Sequence, residues 1–357
     1  MSTREIILQG DAIWHQIRWP NGVIVCPYCG SIHIRHYDGY RYKCNSCKNR
    51  FTDRTKTVMH GSKLSCGHWI QAVYEMVTSK FMPSTELAKR LGVTQKTAWL
   101  MQTKLRYCMD LDSTELTGEI AQDEMYLGGC LSNYHYGRKL SLLRSRHYIH
   151  RDERRYSKSA IYALNSALKT PVFGMNDGNS VVLYATPNPV KKEYLHYLHR
   201  KHVATGSVTV SDESKLYEGW EETTGSPIYT NNHHNNQYRT ANGLTSNRIE
   251  NTFSWLSRSI DCNVTHCKYV QLYLNEFCWR YNTRFLTVDE RLNKVLSYTI
   301  GKTVTYAQIR SYNSMDQFPK NKQPNRFTLQ EIEHLLTYGC VSEIEQDHKV
   351  YTIDDFR

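Results

Sequence analysis

Apolar positions along this chain follow two periods, and the change comes near residue 118. Before it the spacing is helical. Ile13, Trp14, Ile17 and Trp19 mark a short helix over 11–20, stopped at Pro20-Asn21-Gly22. Trp69, Val73, Met76 and Val77 lie on one side of a second helix over 64–82. Pro83-Ser84 then opens a third, with Ser84 as its expected N-cap, Gly92 in a short turn and Thr94 capping a fourth. Helix, glycine-containing turn and second helix is a helix-turn-helix pattern. Past residue 118 the periodicity changes and strand-like runs appear among the helices. Glu119 to Leu127 reads as a strand, and 171–175 with 180–184 as a strand pair across Asn176-Asp177-Gly178-Asn179.

A helix over 190–202 follows, with Tyr194, Leu195 and Leu198 apolar, and then a short strand, Val208–Val210. Residues 221–245, rich in Asn, Gly and Thr, read as a loop. Ile249, Phe253, Leu256 and Ile260 make one buried helical face, and Val270, Leu274, Phe277, Tyr281 and Phe285 another over about 268–285. Arg280 and Arg284 on that second helix are structural or phosphate-contacting. The stretch 130–168 is too long for a hairpin and reads as an insertion; it carries Arg138, Lys139, Arg144, Arg146, Arg151, Arg154, Arg155 and Lys158. Near the end, Thr328 and Glu331 suggest a capping box.

Composition narrows the class of partner. The 357 residues suffice for two or three domains, and 45 Lys plus Arg against 34 Asp plus Glu leave a net charge of +11. That balance favours a polyanion such as DNA. Eleven cysteines, an odd number with four in two tight pairs, fit a reducing compartment and a metal site better than a disulfide scaffold. No stretch approaches 18 apolar residues and no signal peptide opens the chain, so an intracellular protein without a membrane span is expected.

Two groups of residues carry candidate chemistry. Cys26-Pro27-Tyr28-Cys29 and Cys44-Asn45-Ser46-Cys47 are Cys-x-x-Cys knuckles with fourteen residues between them. They predict one structural Zn²⁺ and a ribbon too small to fold without it. His33 and His36, between the pairs, are expected to be exposed or DNA-facing. The second group is acidic. Asp212 ends the strand at Val210, Glu250 sits on the amphipathic helix, and Asp123 lies on a separate strand. Such carboxylates suit two divalent cations about 4 Å apart. Alternation along a strand leaves Glu124 or Glu213 open in place of its neighbour. Asn247 and Glu250, three apart on one helical side, are both open as the third ligand.

The ordered set formed by Asp-Glu-x-Tyr-x-Gly-Gly at 123–129, Val-Ser-Asp-Glu at 210–213, Asn-x-Ile-Glu at 247–250 and the run Tyr273 to Arg284 resembles one family. It is that of the DDE transposases of bacterial insertion sequences with an N-terminal zinc ribbon, and their eukaryotic Merlin relatives. The strand and helix order agrees with the ribonuclease-H-like α/β fold that this resemblance implies. It also implies a domain plan: helix and zinc ribbon over 1–60, helix-turn-helix over 61–115, catalytic domain over 116–300, and a tail over 301–357. Asp123, Asp212 and Glu250 would hold two Mg²⁺ or Mn²⁺ ions, with Asn247 as the alternative third ligand. The interval of thirty-seven residues between Asp212 and Glu250 is of the Merlin type. Gln95, Lys96 and Thr97 would meet the major groove. Relatives often carry His where Thr245 stands and Lys where Ser257-Arg258 stands, so Arg258 would supply the cation at a phosphate. The implied function is binding of a mobile element's terminal repeats, then cleavage and strand transfer at target DNA, by a homo-oligomer assembled on DNA. The rivals are a domesticated, non-catalytic DNA-binding protein and a nuclease without strand transfer.

Overall fold

The computed structural model describes residues 3–128, 134–145, 169–212, 214–231, 246–260 and 268–314. Helix α1 (Thr3–Arg18) starts upstream of the stretch that its apolar pattern marks. In that upstream part Leu8 is 75% exposed, so it does not extend the buried face. A three-stranded antiparallel ribbon follows, ordered β1 (Ile34–Tyr37), β2 (Arg41–Cys44), β3 (Arg50–Thr52). Its core is Ile24, Cys26, Tyr42, Cys44 and Phe51. Asp53, just past β3, ties the ribbon to α1. Its backbone carbonyl accepts from Trp14 Nε1 at 3.0 Å, and its carboxylate meets Trp19 Nε1 at 2.7 Å and His15 Nδ1 at 2.8 Å.

Helices α2 (Cys66–Thr78), α3 (Ser84–Leu91) and α4 (Gln95–Cys108) form the next layer. A Cβ on Gly10 would lie 2.1 Å from the Gly67 Cα, so α1 and α2 cross at a glycine–glycine contact. Pro83, and not Ser84, is the N-cap of α3, and Ser84 is its first helical residue. Gly92 takes the left-handed conformation (φ +66) that ends the helix, and the Thr94 hydroxyl caps α4 by accepting from the Thr97 N–H. The core of this layer takes in Trp279 from α9 (Val270–Asn282) and Val295 and Leu296 from α10 (Val288–Tyr298), far along the chain. The Arg106 guanidinium of α4 reaches the buried Glu276 carboxylate of α9 at 2.7 Å.

The second half is a five-stranded mixed sheet flanked by helices, as in a ribonuclease-H-like fold. Its strands are β4 (Glu119–Leu127), β5 (Thr170–Asn176), β6 (Val181–Ala185), β7 (Val208–Asp212) and β8 (Ile228–Asn231), in the order β6-β5-β4-β7-β8. The first three run antiparallel, and β7 and β8 pair parallel to β4 and β7. Strand β8 and helix α7 (Trp220–Thr224) fall inside the stretch expected to be a loop. Four residues at a sheet edge, amid Asn and Thr, give too short a period to see. Helix α5 (Tyr136–Ser145) occupies part of the 130–168 insertion. Arg146, Arg151, Arg154, Arg155 and Lys158, the capping box at Thr328 and Glu331, and Glu213 lie outside the described residues.

Helices cover both sheet faces. Leu183 turns towards α8 (Asn247–Ser259), while its neighbour Tyr184 bonds His202 of α6 (Lys192–His202) at 3.0 Å. Phe285, expected on the buried face of α9, lies past the helix end and is 80% exposed. Arg280 and Arg284 are structural. Arg280 binds Glu276 and the carbonyls of Met76 and Ser79, and Arg284 binds those of Gly178 and Asn179. The described chain closes with the short α11 (Tyr306–Ser311).

Candidate functional site

One sulfur from each of Cys26, Cys29, Cys44 and Cys47 lies within 4.8 Å of all the others. The Cys26–Cys47 and Cys29–Cys44 sulfurs are 3.6 Å apart. A tetrahedron with zinc–sulfur bonds of about 2.3 Å has edges of about 3.8 Å, so the donors fit zinc. The knuckle backbone prepares them. The Cys47 N–H leads in pulling the Cys44 thiol down to about 6 against the opposing effect of burial, and the Asn49 N–H leads in lowering Cys47. Burial instead pushes Cys26 up to about 12. His33 and His36 are exposed.

The acidic group forms where β4 and β7 run side by side. Their parallel register is Glu119 with Val208, Ile120 with Thr209 and Ala121 with Val210. Two residues further along each strand stand Asp123 and Asp212, on one face by alternation. Carboxylate oxygens of Asp123, Glu124 and Asp212 lie within 4.8 Å of one another. The Glu124 N–H donates to Asp123 Oδ1 at 2.7 Å, and the buried Tyr217 hydroxyl donates to Glu124 Oε1 at 2.5 Å. Burial pushes the Glu124 carboxyl up to about 7, with Asp123 and Asp212 adding to it and Tyr217 opposing. Three carboxylates this close repel unless a proton or cation lies among them, and hard oxygen donors suit Mg²⁺ or Mn²⁺.

The remaining acid arrives on α8. Gly174 is the ladder partner of Asp123, and a Cβ there would meet Ile249 Cδ1 at 2.7 Å and Phe253 Cε1 at 2.8 Å. The missing side chain lets α8 lie close on the sheet beside Asp123. At 3.6 residues per turn, Arg248 and Thr252 fall on one flank of α8, and Glu250 on the other. Arg248 reaches Glu119, and Thr252 accepts from the Asn176 amide, so their flank faces the start of β4. Glu250 therefore lies on the flank towards the strand's later residues, where its Oε1 accepts from the Ser246 hydroxyl at 3.0 Å. Glu250 and Asn247 are both exposed, and Glu250 does not join the 4.8 Å group. Asn247 is further round the helix from Ile249 than Glu250 is.

Among the expected DNA contacts, Gln95 and Lys96 are exposed on the first turn of α4, with the Gln95 amide donating to Ser84 Oγ at 3.1 Å. Thr97 is half-buried and shares a 2.9 Å hydroxyl contact with Thr94. Arg258 is exposed on the side of α8 opposite Ile249, its Nε donating to the Ser254 carbonyl at 3.1 Å. Sequence reasoning missed Tyr217 and Gly174. A glycine inside an apolar strand does signal close approach, whereas nothing around Tyr217 marks a partner for Glu124.

Comparisons with known proteins agree with this geometry. A family profile described as a transposase zinc-ribbon domain matches residues 11–50, and one described as an ISXO2-like transposase domain matches 115–282. An uncharacterized protein in transposable element ISH50 of Halobacterium salinarum is 31% identical over 116 residues, covering 31% of this chain and 39% of that protein. The chain thus aligns with about two-fifths of that relative's length. No solved structure matches. Among the described residues no helix is long and apolar enough to cross a membrane. With a ribbon carrying four zinc-suited thiols ahead of a sheet carrying clustered acids, and both profiles matching in that order, the chain carries the zinc-ribbon and DDE transposase domains of insertion-sequence transposases.

Proposed function

We propose that the protein cleaves the ends of a mobile DNA element and joins them to target DNA, using Asp123, Asp212 and Glu250 to hold two divalent cations. The observation that carries this reading is the convergence of Asp123 and Asp212 from adjacent parallel strands, with their oxygens within 4.8 Å. When bound, such cations polarise a phosphodiester and lower the pKa of an attacking water or 3′-hydroxyl. Asp123 in the middle of β4 and Asp212 at the end of β7 would hold them, and Glu250 would close the site from α8. Charge favours Glu250 over Asn247, because three carboxylates offset four positive charges better than two carboxylates and an amide. Glu124, fixed by Tyr217, adds negative potential beside the pair. Lys96 and Gln95 meet DNA at α4, and the ribbon holds one zinc through its four cysteines.

The test is a cleavage assay with the full chain on supercoiled DNA carrying the flanking ends of its own element. Asp123→Asn is expected to abolish metal-dependent nicking, by at least about 10³-fold, while the chain still binds DNA. Glu250→Gln is expected to do the same, and Asn247→Ala to lower cleavage by about 10–100-fold. Wild-type cleavage by Asp123→Asn would end the reading. An active Glu250→Gln beside a dead Asn247→Ala would move the third ligand to Asn247.

A further inference from the structure

The zinc ribbon packs against the turn that follows it and leaves a groove of about 580 Å³ between them. Strands β1, β2 and β3 supply Tyr37, Arg41 and Arg50, the first knuckle supplies Tyr28, and the turn supplies Arg54 and His60. Among the described residues no carboxylate lines it. Two acids adjoin lining residues in sequence: Asp53 is buried and turned towards Trp19 and His15 of α1, and Asp38, next to Tyr37, is exposed but does not line the groove. Tyr28 and Tyr37 are 45% and 42% exposed. Cations back both rings: Lys56 Nζ is 5.3 Å from the Tyr28 ring and the Arg35 guanidinium 5.4 Å from that of Tyr37.

The groove is also preorganised. Arg54 donates to the carbonyls of Ser62 and Leu64 at 3.3 and 2.9 Å, which fixes the turn. Arg41 Nε donates to the Asp38 carbonyl at 2.8 Å, which fixes the stem and leaves its terminal nitrogens to point elsewhere. A concave surface with guanidiniums and tyrosine hydroxyls suits phosphate oxygens, because guanidinium forks match them bidentately and phenols donate to them. It offers few groups that would select among bases.

We infer that this groove binds the phosphodiester backbone of duplex DNA, with Arg41 and Arg50 as its main contacts. The inference rests on the transposase reading and adds a second DNA contact, separate from α4. The test is fluorescence anisotropy with the full chain over a salt series, on a duplex of the element's terminal repeat and on a random duplex. R41A/R50A is expected to keep its zinc, to weaken binding to both duplexes by roughly tenfold, and to lower the salt slope by about two. R41K/R50K, which keeps the charge, is expected to restore the slope; failure to restore it overturns the assignment. A zinc-loaded R41A/R50A with wild-type affinity and slope overturns it too, as does a loss confined to the terminal repeat. Lys96→Ala separates the two levels. If it weakens binding while R41A/R50A does not, the groove alone falls. A wild-type chain that binds neither duplex removes both the groove and the DNA reading.

Discussion

The ribbon and the five-stranded sheet are held together by different physics. The ribbon buries a handful of side chains, and two of them, Cys26 and Cys44, are metal donors. Such a core cannot offset the entropy of ordering its own chain, so its stability is that of the zinc bond. The sheet buries a continuous cluster from Leu111 to Cys278, with β5 and β6 covered on both faces, and needs no metal to stand. Its acids are a different kind of metal site. They sit together at a cost that the surrounding core sustains, whereas the ribbon cysteines exist to make the core.

Zinc removal gives the largest expected separation. Cys44→Ser, or a strong chelator, should unfold the ribbon, a loss on the order of 10 kcal/mol for that unit. The sheet should keep its melting transition, read by calorimetry alongside zinc analysis. If both transitions vanish together, the two regions are one cooperative unit and the contrast fails. The layer between them is the next place to press. Burial pushes the Glu276 carboxyl up, but the Arg106 and Arg280 guanidiniums outweigh it and hold it below the usual range. Glu276→Gln leaves the buried Arg106 and the half-buried Arg280 guanidiniums short of a charge and should cost about 3–5 kcal/mol. Because this group joins α4 to α9, chemical denaturation should show the helical layer and the sheet weakening together.

Acid should strain the sheet. On α6, burial leads in pushing His199 down to about 3 and His202 to about 4, against an ordinary value near 6.5. Both are neutral when folded and take up protons when unfolded, so stability is full above about 6.5 and falls as pH drops towards about 4. At pH 5 each should cost about 2 kcal/mol. His199→Gln should flatten that dependence in a thermal-shift series; an unchanged pH profile would remove His199 from the account. The smallest effect is expected at Gly174. Gly174→Ala forces a methyl against Ile249, Leu183 and Phe253 and should cost about 1–3 kcal/mol. It should lower cleavage more than DNA binding, since it shifts the helix that carries Glu250. Equal losses in both would mean that α8 plays no special part.

The legible parts of this chain were those with a local cause. Cysteine spacing predicted the thiol cluster, because a knuckle turn and a tetrahedral donor set are short-range demands. Short apolar runs and the turn at 176–179 gave β4, β5 and β6 nearly to the residue, and Asp123 and Asp212 were visible as acids on or beside apolar strands. Less visible were features that depend on distant neighbours. Strand β8 exists because β7 offers it an edge. Helix α10 completes a core whose other buried members, Trp279 of α9 apart, lie before residue 110. Arg280 and Arg284 looked free to meet phosphates until protein carbonyls claimed them.

By itself, then, the sequence determined most of the elements and their order, the zinc donors and the identity of the candidate acids, since period, turn chemistry and ligand type are written over a few residues at a time. Tertiary structure decided what those pieces meet. It set Glu124 beside Asp123 and Asp212 with Tyr217 behind it, and brought α8 down on Gly174. It also opened a basic groove between ribbon and turn, and drew α9 and α10 back against the N-terminal helices. These are pairings across tens to hundreds of residues, fixed by packing and charge in three dimensions, and no local pattern encodes them.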